Sequence, residues 1–218
     1  MSDYRLLKGE KTESGLIRHE ALTPGGEEVF RYSSVRIGLV WPGAANPAFF
    51  IVGGMETEDE LFFSAQGVIR IIEEAEFEDL SLNRLFDAVT SSYTSACAEI
   101  IYCDFKLEDY RNRFWEYLDR NNLRNVNSMD VPYKDMILRL STIKDFNDSG
   151  SLLIDKGSLL FQDLQGISRS HLKDSPEERF YRLNGLGYLI SGFAKFPPVK
   201  RLKDVVRRFG RGDTWMVG

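Results

Sequence analysis

The order in which hydrophobic periodicity changes along this chain is the feature that most restricts its fold. Segments with the composition of β-strands come first, joined by turns, and helical spacing appears only afterwards. Val35–Trp41 and Ala48–Gly53 are short runs rich in β-formers, separated by the turn Pro42-Gly43-Ala44-Ala45-Asn46-Pro47, and they predict a hairpin. A third, long or bulged strand is predicted over Glu60–Ile72, antiparallel to the second, from Leu61, Phe62, Phe63, Val68, Ile69, Ile71 and Ile72. Ser81–Tyr93 then switches period, with Leu82, Leu85, Phe86 and Val89 on one stripe and Ser81 placed to cap a helix. Ala98–Cys103 has the continuous apolar character of a central parallel strand buried on both faces, ended by Asp104. Leu107, Tyr110, Phe114, Tyr117 and Leu118 mark an amphipathic helix. Further on, the pattern predicts a strand over Leu123–Met129, a helix over Tyr133–Phe146 with Met136, Ile137, Leu140 and Ile143 inward, and a short extended piece at Ser151–Ile154. Closing helices are predicted over Ser158–Ile167 and Pro176–Phe193. This succession predicts an α/β fold: a mixed sheet with an antiparallel edge and helices on both faces.

At 218 residues and 43% apolar content, the chain is of a size for one large domain. Punctuation at Thr23-Pro24-Gly25-Gly26 and Phe196-Pro197-Pro198 divides it into an N-terminal arm or peripheral strand (1–29), a core domain (30–196) and a basic C-terminal helix and tail (197–218). No apolar run is long enough to span a bilayer and Met1–Glu20 is polar, so no membrane partner is implied and a cytoplasmic location is expected. Cys97 and Cys103 both fall in what reads as a strand, about 20 Å apart, so they predict two buried thiols rather than a bridge. Neither a CxxC nor a Cys/His cluster is available for structural zinc. The net charge of −5 is unevenly spread: Glu56–Asp79 is acidic, while Lys195–Arg211 holds seven cations against Asp204 alone.

Three stretches resemble the nuclease domain of phage large terminase subunits, whose ribonuclease H-like fold has the element order predicted above. Gly38-Leu39-Val40, the Gly-containing turn, and Asn46-Pro47-Ala48 before an apolar strand resemble that domain's first strand and hairpin. Ile100-Ile101-Tyr102-Cys103-Asp104 is similar to its strand ending in an acid, and Arg182-Leu183-Asn184-Gly185-Leu186-Gly187-Tyr188 to its closing helix. The likeness spans about Val35 to Phe193. It implies a site in which three carboxylates hold divalent metals that cut DNA. Here the three places read Val40, Asp104 and Asn184, so only Asp104 retains its acid. A two-metal centre of hard ions needs anionic oxygens, which valine and asparagine do not supply. The expectation is therefore no bound metal and no metal-dependent cleavage; Mg²⁺ or Mn²⁺ enters only if the site is active after all. No GxxxxGK[ST] occurs, so the packaging motor's ATPase half is absent and the resemblance implies a free-standing nuclease-like domain of phage or prophage origin.

Each candidate residue also has a plainer explanation. Asp104 at a strand end can simply cap the helix that starts near Lys106 or form a turn there. His19 and His171 are far apart, without a Gly-x-Ser-x-Gly elbow, and are expected to be solvent-exposed. Gly185 and Gly187 are best explained by close packing of their helix on the sheet. Lys200, Arg201, Lys203, Arg207, Arg208 and Arg211 flank an apolar stripe of Leu202, Val205, Val206 and Phe209. That segment either docks on its own domain or contacts phosphates, in which case binding falls with salt. Three functions remain open: a degenerate module that binds duplex DNA or a phage packaging protein, an active endonuclease recruiting Glu56, Glu58 or Glu177, and a structural oligomerisation module. The sequence leaves the oligomeric state undetermined.

Overall fold

The computed structural model describes residues 5–44, 46–57, 67–78, 81–132, 134–166 and 180–193. Alternation along the central strands explains its layering. On β4 (Ala48–Glu56), Ala48, Phe50 and Val52 point to one face while Phe49 and Ile51 point to the other, and all are buried. β3 (Gly26–Val40) pairs antiparallel with β4, Ile37 opposite Val52 and Val40 opposite Phe49, which realises the predicted hairpin. The face carrying Ile37, Leu39, Phe50 and Val52 packs on α1 (Leu82–Ser95) through Leu85, Phe86 and Val89, and on α2 (Glu108–Arg120) through Phe114 and Leu118. The opposite face, with Phe49 and Ile51, is covered by α3 (Met136–Asp148), α4 (Leu159–Gly166) and α5 (Tyr181–Phe193).

β6 (Ile100–Cys103) runs parallel to the second half of β3, Arg36 opposite Ile100 and Leu39 opposite Cys103, as a central strand should. β7 (Ser128–Asp130) lies parallel beyond it and is much shorter than the predicted Leu123–Met129. β8 (Leu152–Leu153) pairs parallel with the start of β5 (Ile69–Phe77). The third strand is displaced from its expected place: β5 is Ile69–Phe77, antiparallel to β4, whereas 58–66 lie outside the described residues. Its second half is Glu73-Glu74-Ala75-Glu76, acidic enough to read as a turn. Ser92 donates to Glu73, and the Tyr181 hydroxyl and Arg182 guanidinium bond Glu76, so these carboxylates have partners inside a strand. Burial nevertheless pushes the Glu73 and Glu74 carboxyls up from the usual range.

Residues expected to form an arm or a peripheral strand make β1 (Arg5–Lys11) and β2 (Ile17–Thr23), which extend the same sheet along the first half of β3. Ile17, His19 and Ala21 alternate inward on β2, and that period carries the histidine into the core against expectation. The His19 ring is 0% exposed, lies edge-on to Tyr32 at 4.8 Å, and its Nε2 is 2.9 Å from the Ala96 carbonyl oxygen. Cys97 also departs from expectation, half-buried in a turn at φ 52° rather than in a strand, while Cys103 is buried in β6, and both thiols are free.

Burial lowers the His19 pKa below its ordinary 6.5, against the opposing bond to Ala96. The unfolded chain therefore binds a proton at a pH where the folded chain does not. This stability is complete above about pH 6.5 and is lost as pH falls through the folded value. The raised Glu73 and Glu74 act with the opposite sign, so a comparison isolates the histidine. Melting temperature is expected to drop less between about pH 7 and 5 in His19→Gln than in the native protein; parallel curves would exclude the assignment.

Candidate functional site

Register and helix packing bring Val40, Asp104 and Asn184 to one end of the sheet. Leu39 pairs with Cys103, so the next residues, Val40 and Asp104, leave β3 and β6 side by side. α5 crosses this end closely. A Cβ on Gly38 would strike the carbonyl oxygen of Gly185, and one on Gly185 would lie 3.5 Å from Val40 Cγ2 and 2.8 Å from the Phe49 ring. Close packing on the sheet thus accounts for Gly185, whereas Gly187 makes room for Arg139 of α3. Asn184 follows from the same contact, one residue before Gly185, and is 5% exposed.

Val40 presents its branched side chain to Tyr102, Val131 and Tyr188, a small apolar cluster. Asp104 does not cap α2, whose N-cap position is Leu107; its Oδ1 accepts the Lys106 N–H at 2.9 Å and shapes the turn before the helix. Its backbone oxygen accepts the Trp41 Nε1–H at 3.2 Å, and that indole stacks on Tyr110 with ring centroids 5.9 Å apart. The hairpin exit and the end of β6 are pinned together by this contact.

Three residues at this end, Asp130, Lys134 and Arg139, were not singled out from sequence. Asp130 pairs with Cys103 across β6 and β7, beside Asp104. Burial pushes its carboxyl up, but the Lys134 hydrogen bond and the N–H groups of Phe105 and Val131 outweigh that and leave it lowered. Lys134 meets Asp130 at 2.6 Å and is raised chiefly by that bond, with a further contribution from Asp104. Burial, followed by the charges of Asp130 and Asp104, raises the Cys103 thiol far from any nucleophilic range. Arg139 is 3% exposed. Its Nη2 donates to Asn184 Oδ1 at 2.9 Å, its Nη1 donates to the Lys134 carbonyl at 2.9 Å, and its guanidinium lies 5.0 Å from the Tyr188 ring centroid. A sequence signal existed for Arg139: it falls on the apolar stripe Met136, Leu140, Ile143 of α3, where a charge is out of place.

Hard divalent ions need several oxygen ligands, most of them anionic. Val40 has no ligand atom, Asn184 has one neutral oxygen already engaged by a cation, and Asp130 is engaged by Lys134. Among the described residues no three of His, Cys, Asp or Glu gather as a potential metal site. This donor set does not fit a pair of metal ions. Glu56 cannot be recruited: it ion-pairs with Arg70 at the far end of β4, seven residues along from Phe49 and therefore roughly 20 Å away. Glu58, Glu177, His171 and the basic residues Lys200, Arg201, Lys203, Arg207, Arg208 and Arg211 lie outside the described residues. No described helix is long and apolar enough to cross a membrane.

No protein-family model matches the chain, and no curated protein matches it. Among solved structures it is similar to the large terminase nuclease from thermophilic phage G20c with bound zinc, at 13% identity over 87% of this chain and 94% of that one, with a TM-score of 0.53. It is also similar to the large terminase nuclease domain from bacteriophage SPP1 with bound Mn, at 14% identity over 75% and 88% of the two chains and a TM-score of 0.44. A second structure of the G20c nuclease aligns at 12% identity over 73% and 78%, with a TM-score of 0.45. The first of these similarities and the strand order described above give the same answer: the chain has the ribonuclease H-like α/β fold of large terminase nuclease domains.

Proposed function

We propose that this protein is a catalytically degenerate, terminase-nuclease-like module of phage or prophage origin that binds DNA or a packaging partner without cutting. One observation carries the reading: at the end of the sheet where Val40, Asp104 and Asn184 converge, only one of the three side chains is an anion. Two-metal phosphodiester cleavage places both the attacking and the leaving oxygen on cations, and a single carboxylate does not concentrate two such ions. Retention of the fold without the charges fits selection for a surface rather than for a reaction. The cations from Lys200 to Arg211 would supply phosphate contacts, so affinity for duplex DNA should fall steeply between low and physiological salt.

Asp130 favours the alternative, an active endonuclease, because it adds a second carboxylate beside Asp104. Its engagement with Lys134 and two backbone N–H groups weighs against a ligand role. Supercoiled-plasmid nicking separates the readings. With Mg²⁺ or Mn²⁺ at millimolar concentration, no nicking above a no-protein control is expected. Robust cleavage that disappears in Asp104→Ala would overturn the proposal.

A further inference from the structure

The site does more than lack metal ligands: it holds a cation of its own. Arg139 is buried, and the oxygen that faces it is Asn184 Oδ1, the ligand atom at the third place of the site. A divalent ion would have to approach that oxygen to about 2.1 Å, and the charge of a guanidinium already at hydrogen-bond distance opposes it. The contact is built from several sides. Gly187 leaves the space that the Arg139 side chain fills, the Tyr188 ring lies beneath the guanidinium, and the Lys134 carbonyl takes a second N–H. The segment from Lys134 to Arg139 also brings a second cation, Lys134, onto Asp130 with Asp104 in its field.

We infer that Arg139 has taken over the electrostatic and structural place of the metal, tying α3 to α5 as a resident counter-charge and closing the site to divalent ions. The inference rests on the reading of the site as degenerate but makes a separate claim. Loss of ligands alone would leave an open polar locus that regains metal when a carboxylate is restored. A resident guanidinium would instead pair with the restored carboxylate and keep metal out.

The test introduces Asn184→Asp into the native protein and into Arg139→Gln, which keeps a donor for residue 184 but removes the charge. Melting temperatures of all four proteins are then measured with and without millimolar Mn²⁺. In the native background, Asn184→Asp is expected to leave the melting temperature unchanged or raised, with no Mn²⁺-dependent shift. In the Arg139→Gln background the same carboxylate is uncompensated, and the melting temperature should fall by several degrees. Equal lowering in both backgrounds overturns the inference, as does an Mn²⁺-dependent rise while Arg139 is present. These outcomes are independent of plasmid nicking: a native protein that cuts DNA sinks the functional reading, whereas equal lowering sinks only the assignment of Arg139.

Discussion

Gly38→Val is expected to leave the protein folded but strongly destabilised. A Cβ at this position meets backbone, the Gly185 carbonyl and the Leu189 nitrogen, and not the flexible end of a side chain. Relief therefore requires α5 to lift from β3, which would strip Leu186, Leu189 and Ile190 from the layer they share with Phe49 and Ile51. Overpacking that side chains can absorb costs about 1–3 kcal/mol, and a clash with backbone in the middle of a sheet lies above that range, at about 4 kcal/mol. For a chain of this size that corresponds to a melting-temperature loss of roughly 8–16 °C. Thermal denaturation followed by circular dichroism checks it, and a soluble variant melting within about 2 °C of the native protein would show that the helix does not sit where described.

The second large effect is Asn184→Leu. The substitution is close to isosteric, so little of its cost is cavity, and what it removes is the oxygen that accepts from Arg139 Nη2. A guanidinium left short of an acceptor at 3% exposure cannot recover it from water. Removing a neutral acceptor from a buried charged donor costs about 1.5–3 kcal/mol, since the guanidinium keeps its other contacts. Urea denaturation should show the midpoint moving to lower concentration with the slope unchanged. A change under about 1 kcal/mol would mean that the guanidinium is held by its other contacts and that Asn184 is a bystander.

Both substitutions fall within stretches whose resemblance to terminase nucleases was visible in the sequence. The reason each residue matters was not. Gly38 reads as part of a strand, and only the crossing of α5 shows why a side chain is excluded there. Asn184 reads as a lost ligand, while its partner Arg139 lies 45 positions away. The turn role of Asp104 was legible, because an Asp that bonds a backbone N–H two residues on is a local device.

The apolar runs of the second half of β3, of β4 and of β6, and the helical stripes of α1 and α2, were legible in the sequence alone, since each pattern belongs to one element burying its own apolar side chains. Tertiary structure decided the elements whose polar residues depend on distant partners. Glu73 and Glu76 are tolerated within β5 because Ser92, Tyr181 and Arg182 reach them, and His19 enters the core because Ala96 accepts its ring N–H. The same holds at the end of the sheet where Val40, Asp104 and Asn184 converge: inside it, Asn184, the Lys134 carbonyl and Tyr188 all engage the Arg139 guanidinium. Hydrophobic burial needs no particular partner and is therefore written locally, whereas a buried polar or charged group must be matched by a complementary one, and the chain brings the two together only when it folds.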